Sequence, residues 1–157
     1  YLELDHAAAG IEETVFLRDL LTLLIWEDYG LTYRQTDGYF RKLSRDQGQI
    51  CIDFLRQQIG HLKAEDLDYQ AQEALTLLGQ VTCEQGRYEL FIALAREMKC
   101  DHWRRILLLA DTAMKGRRRD LALLIFEAAL QPGPHYDSLR SHYAQLQLGV
   151  WKPDLKK

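Results

Sequence analysis

The sequence is poor in residues that interrupt helices and in residues that cross-link small domains. Its 157 residues include three prolines and ten glycines, too few for a many-stranded β-sandwich, in which turns recur about every 8–12 residues. The three cysteines, Cys51, Cys83 and Cys100, form an odd set without paired spacing. This pattern argues against a disulfide framework and against a CxxC zinc site, and we expect a reducing, cytoplasmic location.

The sequence also lacks a long apolar run and a strong charge of one sign. Its longest strongly apolar stretch, Leu20 to Trp26, is interrupted by Thr22, and it is much shorter than the roughly 20 residues that span a bilayer. We therefore expect no membrane association. The formal net charge of −3 does not by itself indicate a polyanionic partner. With 47% hydrophobic and 27% charged residues, the composition is that of an ordinary globular domain.

Apolar residues recur at helical spacing along most of the chain, and no segment alternates as a half-buried strand does. The pattern predicts one all-α domain over residues 1–157 with about seven or eight helices. Short connections favour antiparallel pairs of neighbouring helices. Within the domain we expect N-terminal helices, helical hairpins and an extended tail, over residues 1–62, 66–148 and 149–157.

Polar and small residues mark the expected ends of these helices. Asp46 and Asp137 are the expected N-caps of two helices, because a carboxylate can accept from the free N–H groups there. Gly60 and the acidic residues that follow it are expected to separate two helices. The sequence Pro132-Gly133-Pro134 is expected to stop another helix.

Two helix pairs in the second half of the chain carry corresponding residues. The first pair has Leu78, Gly79, Gly86, Arg87, Tyr88, Phe91, Ala95 and Met98, and the second has Leu109, Ala110, Ala122, Phe126, Ala129 and Pro134. A small residue such as Gly79 or Ala110 lets two helices approach closely, and a large residue on the next helix fills the adjacent groove. Ala144 is expected to be the same small position in a final helix.

Over residues 70–148 this pattern resembles the tetratricopeptide repeat. The Leu-Gly pair and Gly-x-Tyr turn of that family match Leu78, Gly79, Gly86 and Tyr88, and its small–large–small series and closing proline match Ala122, Phe126, Ala129 and Pro134. The resemblance implies a short α-solenoid. A looser HEAT-like stack or an irregular bundle remains the alternative. Stacked helix pairs present a concave face that can bind a peptide or helix of a partner.

One cluster of basic residues is a candidate binding site. Its members are Arg104, Arg105, Lys115, Arg117, Arg118 and Arg119. Arginine side chains bind phosphate and carboxylate groups in a forked geometry, and helical repeats can line basic grooves for RNA. The alternative is a solvated turn whose cations lie near a helix C-terminus, where the helix dipole favours them.

Four aromatic residues lie outside the clear apolar stripes and are candidate partner anchors. They are Tyr33, Tyr39, Tyr136 and Trp151. Exposed aromatic side chains commonly anchor protein interfaces. The alternative is that these side chains pack under loops or hold the tail against the domain.

Signals of catalysis or metal binding are weak. His135, Asp137 and His142 form a poor metal-ligand pattern, and Cys100-Asp101-His102 are neighbours in sequence that point in different directions on a helix. No glycine-rich phosphate loop or hydrolase signature occurs in the sequence. We therefore predict a non-enzymatic protein–protein interaction module without a cofactor, whose partner is a protein or peptide. Binding of RNA or another polyanion by the basic cluster is the alternative, and an all-α enzyme with a pocket between helix pairs is a third; self-association is left open.

Overall fold

The computed structural model describes residues 12–26, 38–95, 103–133 and 135–152, which form seven α-helices and one 3₁₀ turn. In chain order these are α1 (Glu13–Trp26), the 3₁₀ turn (Phe40–Lys42), α2 (Arg45–Ala64), α3 (Asp68–Glu84), α4 (Tyr88–Ala95), α5 (Trp103–Lys115), α6 (Arg119–Ala129) and α7 (Tyr136–Gln147). These ranges contain no strand, so the predicted all-α fold is confirmed. Among the described helices, none combines the length and the apolar character that crossing a membrane requires.

Helix α3 lies at the centre of the fold. It contacts α1, α2, α4, α5 and the 3₁₀ turn. Every residue from Ala74 to Glu84 is buried, including Leu75, Leu78 and Val81, which recur at helical spacing in the sequence. A helix buried around most of its circumference is expected where neighbours pack on several sides.

The second half of the chain packs as helix pairs laid side by side. Three-residue turns join α3 to α4 and α5 to α6, so each pair is antiparallel. In addition, α3 packs against α5 and α4 packs against α6. The first helices of the two pairs are therefore neighbours, as are the second helices. This packing is compatible with a short α-solenoid.

The close approach of α3 and α5 depends on Gly79. A Cβ atom at this position would lie 2.5 Å from Cδ2 of Leu109, a side chain that is only 1% exposed. Gly79 and Ala110 each lie seven residues before a left-handed turn residue, Gly86 and Arg117 respectively. The two small residues therefore occupy corresponding positions in the two pairs.

The structure places the third position of this series differently from the prediction. Ala144 is exposed. The left-handed residue after α7 is Gly149, with a φ of 78°, and the residue seven positions before it is His142. An imidazole, not a small side chain, thus occupies the position that corresponds to Gly79 and Ala110.

The start of α2 is set by a serine and not by the predicted aspartate. The Ser44 hydroxyl accepts from the N–H of Gln47 at 3.1 Å, and the Ser44 N–H donates to Oε1 of Gln47 at 2.7 Å. This reciprocal pair satisfies two N–H groups at once, so Asp46 lies inside the first turn. Asp137 likewise lies inside the first turn of α7. Gly60 lies within α2 and does not end it.

Candidate partner-binding cleft

A cleft of about 450 Å³ lies where the C-terminal ends of α3 and α5 meet the 3₁₀ turn and the start of α4. Its lining residues are Arg41, Cys83, Glu84, Gln85, Gly86, Tyr88, Thr112, Lys115, Gly116 and Arg117. Lys115 and Arg117 belong to the predicted basic cluster. Cationic side chains are favoured here because the C-terminal ends of helices carry partial negative charge.

The turns that border this cleft share one backbone geometry. The N–H groups of Arg87 and Arg118 each donate to the carbonyl five residues earlier, at 2.7 and 2.9 Å. The residue before each of these donors is left-handed, with a φ of 72° at Gly86 and 58° at Arg117. This is the Schellman arrangement, which satisfies the last carbonyl groups of a helix.

Arg117 occupies a backbone position that favours glycine. The corresponding residues are Gly86 after α3 and Gly149 after α7, while the turn after α2 has Asp66. A residue with a Cβ atom in this conformation costs about 1 kcal/mol. The Arg117 side chain is exposed and lines the cleft, and its guanidinium group makes no hydrogen bond or ion pair with the described part of the chain.

Arg41 reaches the cleft from the 3₁₀ turn, and Gln85 holds that turn in place. The Gln85 amide donates to the carbonyl of Phe40 at 2.5 Å and to that of Leu43 at 3.2 Å. Gly48 of α2 makes room for this side chain, because a Cβ atom there would overlap it. Arg41 is exposed and, like Arg117, forms no hydrogen bond or ion pair within the described ranges. Sequence reasoning missed Arg41, since only tertiary packing brings it near Arg117.

The deeper wall of the cleft carries a thiol and a carboxylate. Burial, together with the neighbouring Glu84, raises the pKa of Cys83 to about 11, while Arg118 and Arg41 act in the opposite direction. The thiol is therefore protonated near neutral pH and is a poor nucleophile. Glu84 is also buried. Cys83 and Cys51 are buried free thiols, which pack as small apolar side chains.

Two further members of the basic cluster are paired with acidic groups. Nζ of Lys115 lies 3.1 Å from Oδ2 of Asp111, one helical turn earlier. The guanidinium group of Arg118 donates to both carboxylate oxygens of Asp120, at 2.9 and 2.7 Å, and lies 3.8 Å from the centre of the Tyr88 ring. These hydrogen bonds lower the pKa of Asp120. Neither cation is as available to a ligand as Arg117.

Arg119 contacts a neighbouring helix and not the cleft. Its guanidinium group donates to the carbonyl groups of Leu146 and Gln147, at 3.1 and 2.9 Å. Carbonyl groups in the last turn of a helix have no partner within the helix. Arg119 therefore caps the C-terminal end of α7 and ties it to α6.

Arg104 and Arg105 lie at the other end of α5. Ten residues separate Arg105 from Lys115, which is about 15 Å along a helix. Nε and Nη2 of Arg105 donate to Oε2 of Glu73, at 3.2 and 2.7 Å, and its guanidinium group lies 4.3 Å from the centre of the Tyr69 ring. Arg104 lies against the Trp103 ring at 5.4 Å. The predicted basic cluster is thus divided between two separate places.

The candidate aromatic anchors are scattered. Tyr33 lies outside the described residues. Tyr39 is half-buried, and its ring meets Phe40 edge to face at a centroid distance of 5.5 Å. Tyr136 is half-buried and lines a second depression at the start of α7, together with His135. Tyr39 and Tyr136 therefore lie on separate elements, beside the 3₁₀ turn and at the start of α7.

Trp151 is buried and holds the segment after α7 against the domain. It is 9% exposed, and its ring meets Phe126 edge to face at 5.6 Å. Its indole N–H donates to Nδ1 of His142 at 3.0 Å. Burial lowers the pKa of His142, so the imidazole is kept neutral and can accept this bond. The alternative interpretation, in which this aromatic residue secures the tail, fits its position.

The weak metal-ligand pattern of His135, Asp137 and His142 does not form a site in the described ranges. His135 and Asp137 lie at the start of α7, and His142 lies further along that helix in contact with Trp151. No three His, Cys, Asp or Glu side chains within those ranges are grouped so that they could hold a metal ion. Cys100, Asp101 and His102 lie outside the described residues.

Comparisons with known proteins show no relative. The chain matches no protein-family model, and neither curated proteins nor solved structures match it significantly.

Proposed function

We propose that this chain is a non-enzymatic protein-interaction module built from stacked helix pairs, and that it contacts its partner at the cleft between the turns. The observation that carries the proposal is the position of Arg41 and Arg117. These side chains come from separate elements and line one cleft. Neither guanidinium group has a hydrogen-bond or ion-pair partner among the described residues. Such groups are available to a ligand.

The relation of the helix pairs supports the tetratricopeptide-like part of the proposal. The first helices of the two pairs pack together through Gly79 and Leu109. Gly79 and Ala110 stand at the same distance from turns of the same geometry. Repeats that stack through equivalent contacts have this property. The cleft then lies at the end of the stack where consecutive turns meet.

A protein partner is favoured over RNA by the state of the other basic residues. A nucleic acid is usually held by many cations along its backbone. Here Arg105 and Arg118 bind carboxylates of the same chain, and Arg119 binds helix carbonyl groups. Two available arginines in a small cleft fit a short peptide segment better than an extended polyanion.

The proposal is tested by affinity capture from the source lysate, with and without nuclease, followed by identification of the retained proteins. The test variant is the double substitution Arg41→Glu and Arg117→Glu. The matched control, Arg56→Glu and Arg140→Glu, makes the same change of charge at exposed positions of α2 and α7.

We expect a specific set of proteins that survives nuclease, is retained by the control and is lost from the test variant. Retention that disappears with nuclease would instead favour the polyanion alternative. Equal retention by both variants would reject the cleft as the contact site.

A further inference from the structure

Several helices of the described ranges end in a turn with a left-handed residue, a conformation that favours glycine. The turns after α3 and α7 have glycine at the left-handed position, Gly86 and Gly149, whereas the turn after α2 has Asp66 and the turn after α5 has Arg117. Arginine gains nothing at this position from the turn itself, because any residue can supply the N–H group of the Schellman motif. Unfavourable backbone conformations concentrate at functional sites. Of Asp66 and Arg117, it is Arg117 that lines the cleft, so its side chain is the one that a ligand in the cleft can contact.

The opposite side of the cleft is also fixed in place. Gln85 bonds to the backbone on both sides of Arg41, through the carbonyl groups of Phe40 and Leu43. The buried Gly48 provides the space for Gln85. As a result, the 3₁₀ turn that carries Arg41 is tied directly to the turn that ends α3. Two arginines are thus presented from elements that are bonded to one another or packed together.

We propose that this cleft binds side-chain carboxylates of an acidic peptide segment, with Arg41 and Arg117 as the groups that bind them. This inference rests on the proposed function as a protein-interaction module and names the chemistry of the partner. A planar carboxylate matches the forked geometry of a guanidinium group. Tyr88, one face of whose ring is covered by Arg118, also lines the cleft.

The charges that line the cleft match two carboxylates. Lys115 is paired with Asp111, and Arg41 and Arg117 are the other two cations of the lining. Each guanidinium group carries one positive charge and each carboxylate one negative charge, so two acidic side chains of a peptide pair with the two arginines one to one.

The test uses the full chain and a fluorescein-labelled peptide of eight glutamates, followed by fluorescence anisotropy at low salt. A peptide of eight glutamines is the probe control. Arg41→Gln and Arg117→Gly are the test variants, and Arg56→Gln on the exposed face of α2 is the protein control. Each test variant should raise the Kd for the glutamate peptide about tenfold, because one charge-assisted fork is lost.

Arg117→Gly separates binding from folding. Glycine relieves the left-handed conformation, so this variant should melt about 2–4 °C higher than the parent chain while it binds more weakly. A variant that is more stable and binds less cannot have lost binding through unfolding. The proposal therefore predicts a higher melting temperature and a weaker affinity for the glutamate peptide in the same variant.

Three results would overturn the assignment. Equal binding of the glutamate and glutamine peptides would show that carboxylates are not recognised. An unchanged Kd in both Arg41→Gln and Arg117→Gly would place the glutamate site elsewhere. Tighter, arginine-dependent binding of an oligouridylate that displaces the peptide would assign the cleft to nucleic acid.

The two experiments distinguish a wrong ligand class from a wrong function. If affinity capture still depends on the two arginines while the glutamate peptide does not bind, the ligand class is wrong and the interaction module stands. If capture retains no specific protein, the proposed function itself fails.

Discussion

Replacing Gly79 by alanine tests whether α3 and α5 are held at the distance that the structure shows. The new Cβ atom would lie 2.5 Å from Cδ2 and 3.2 Å from Cδ1 of Leu109. Leu109 cannot turn toward solvent without a cost, since it is 1% exposed. Inserting a methyl group into a well-packed core typically costs about 1–3 kcal/mol. The substitution also gains about 1 kcal/mol of helix propensity, so the net loss of stability is smaller than the packing cost.

Gly60→Ala is a matched control because it isolates the propensity gain. Gly60 lies in the interior of α2, is exposed, and has no atom within 4 Å of the Cβ position. This variant should be about 0.5–1 kcal/mol more stable than the parent chain. Gly79→Ala should be less stable than Gly60→Ala by about 1–3 kcal/mol, which is the packing cost alone. Equilibrium unfolding in urea, followed by circular dichroism, measures both values.

A double-mutant cycle identifies the partner of the new methyl group. Leu109→Ala alone should cost about 2–5 kcal/mol, because it leaves a cavity between α3 and α5. Combining it with Gly79→Ala removes the overlap, so the two changes should be non-additive by at least about 0.5 kcal/mol. If Gly79→Ala stabilises the chain as much as Gly60→Ala does, the close contact between α3 and α5 is not present. Strict additivity with Leu109→Ala would lead to the same conclusion.

The remaining predictions concern titration, thiols and a helix cap. The folded pKa of His142 lies below its ordinary value of 6.5, so the unfolded chain binds the proton more readily. Its contribution to stability is complete above about pH 6.5 and falls as the pH is lowered from there. Thermal melts from pH 7.5 to pH 5 should show this loss of stability together with a change in Trp151 fluorescence. The variant His142→Asn should show a weaker dependence of the melting temperature on pH. An equal dependence in the two proteins would contradict this role of His142. The pKa values of Cys51 and Cys83 are raised to about 12 and about 11. These two thiols should therefore react with an aromatic disulfide reagent at pH 8 only when the chain is unfolded. Fast labelling of both thiols in the folded chain would show that they are accessible. Ser44→Ala should cost about 1 kcal/mol in a urea titration, whereas Ser44→Asp should retain most of that stability.

The order and approximate extent of the described helices could be predicted because each has an apolar stripe of its own. Leu75, Leu78 and Val81 define the inner face of α3 in the sequence and are buried in the fold. The ends of helices were predicted less well. Both Ser44 and Asp46 could cap the start of α2. Ser44 does so because the Gln47 side chain accepts a hydrogen bond from the Ser44 N–H, while the Ser44 hydroxyl accepts one from the Gln47 N–H. Local pattern alone did not distinguish this pair from Asp46.

Only part of the candidate site could be predicted, because the sequence shows where cations occur but not which groups they pair with in the fold. A run of cations is visible in the sequence, so Lys115 and Arg117 were found. Which cations remain available depends on partners that are distant in the chain, such as Glu73 for Arg105 and the carbonyl groups of α7 for Arg119. Arg41 had no local signal, since its place in the cleft is set by Gln85. Sequence patterns identify charge, and tertiary contacts decide where that charge is free to act.

Helix α7 differs from α3 and α5 at the position that corresponds to Gly79 and Ala110. Where α3 has Gly79 and α5 has Ala110, α7 has His142, and an imidazole does not permit the close approach of a neighbouring helix that a small residue permits. Trp151 covers this position by donating to Nδ1 of His142 and packing edge to face on Phe126. Trp151, which lies just after α7 in the chain, thus covers this position. Because its hydrogen bond depends on a neutral imidazole as acceptor, we expect protonation of His142 to loosen the contact between Trp151 and α7.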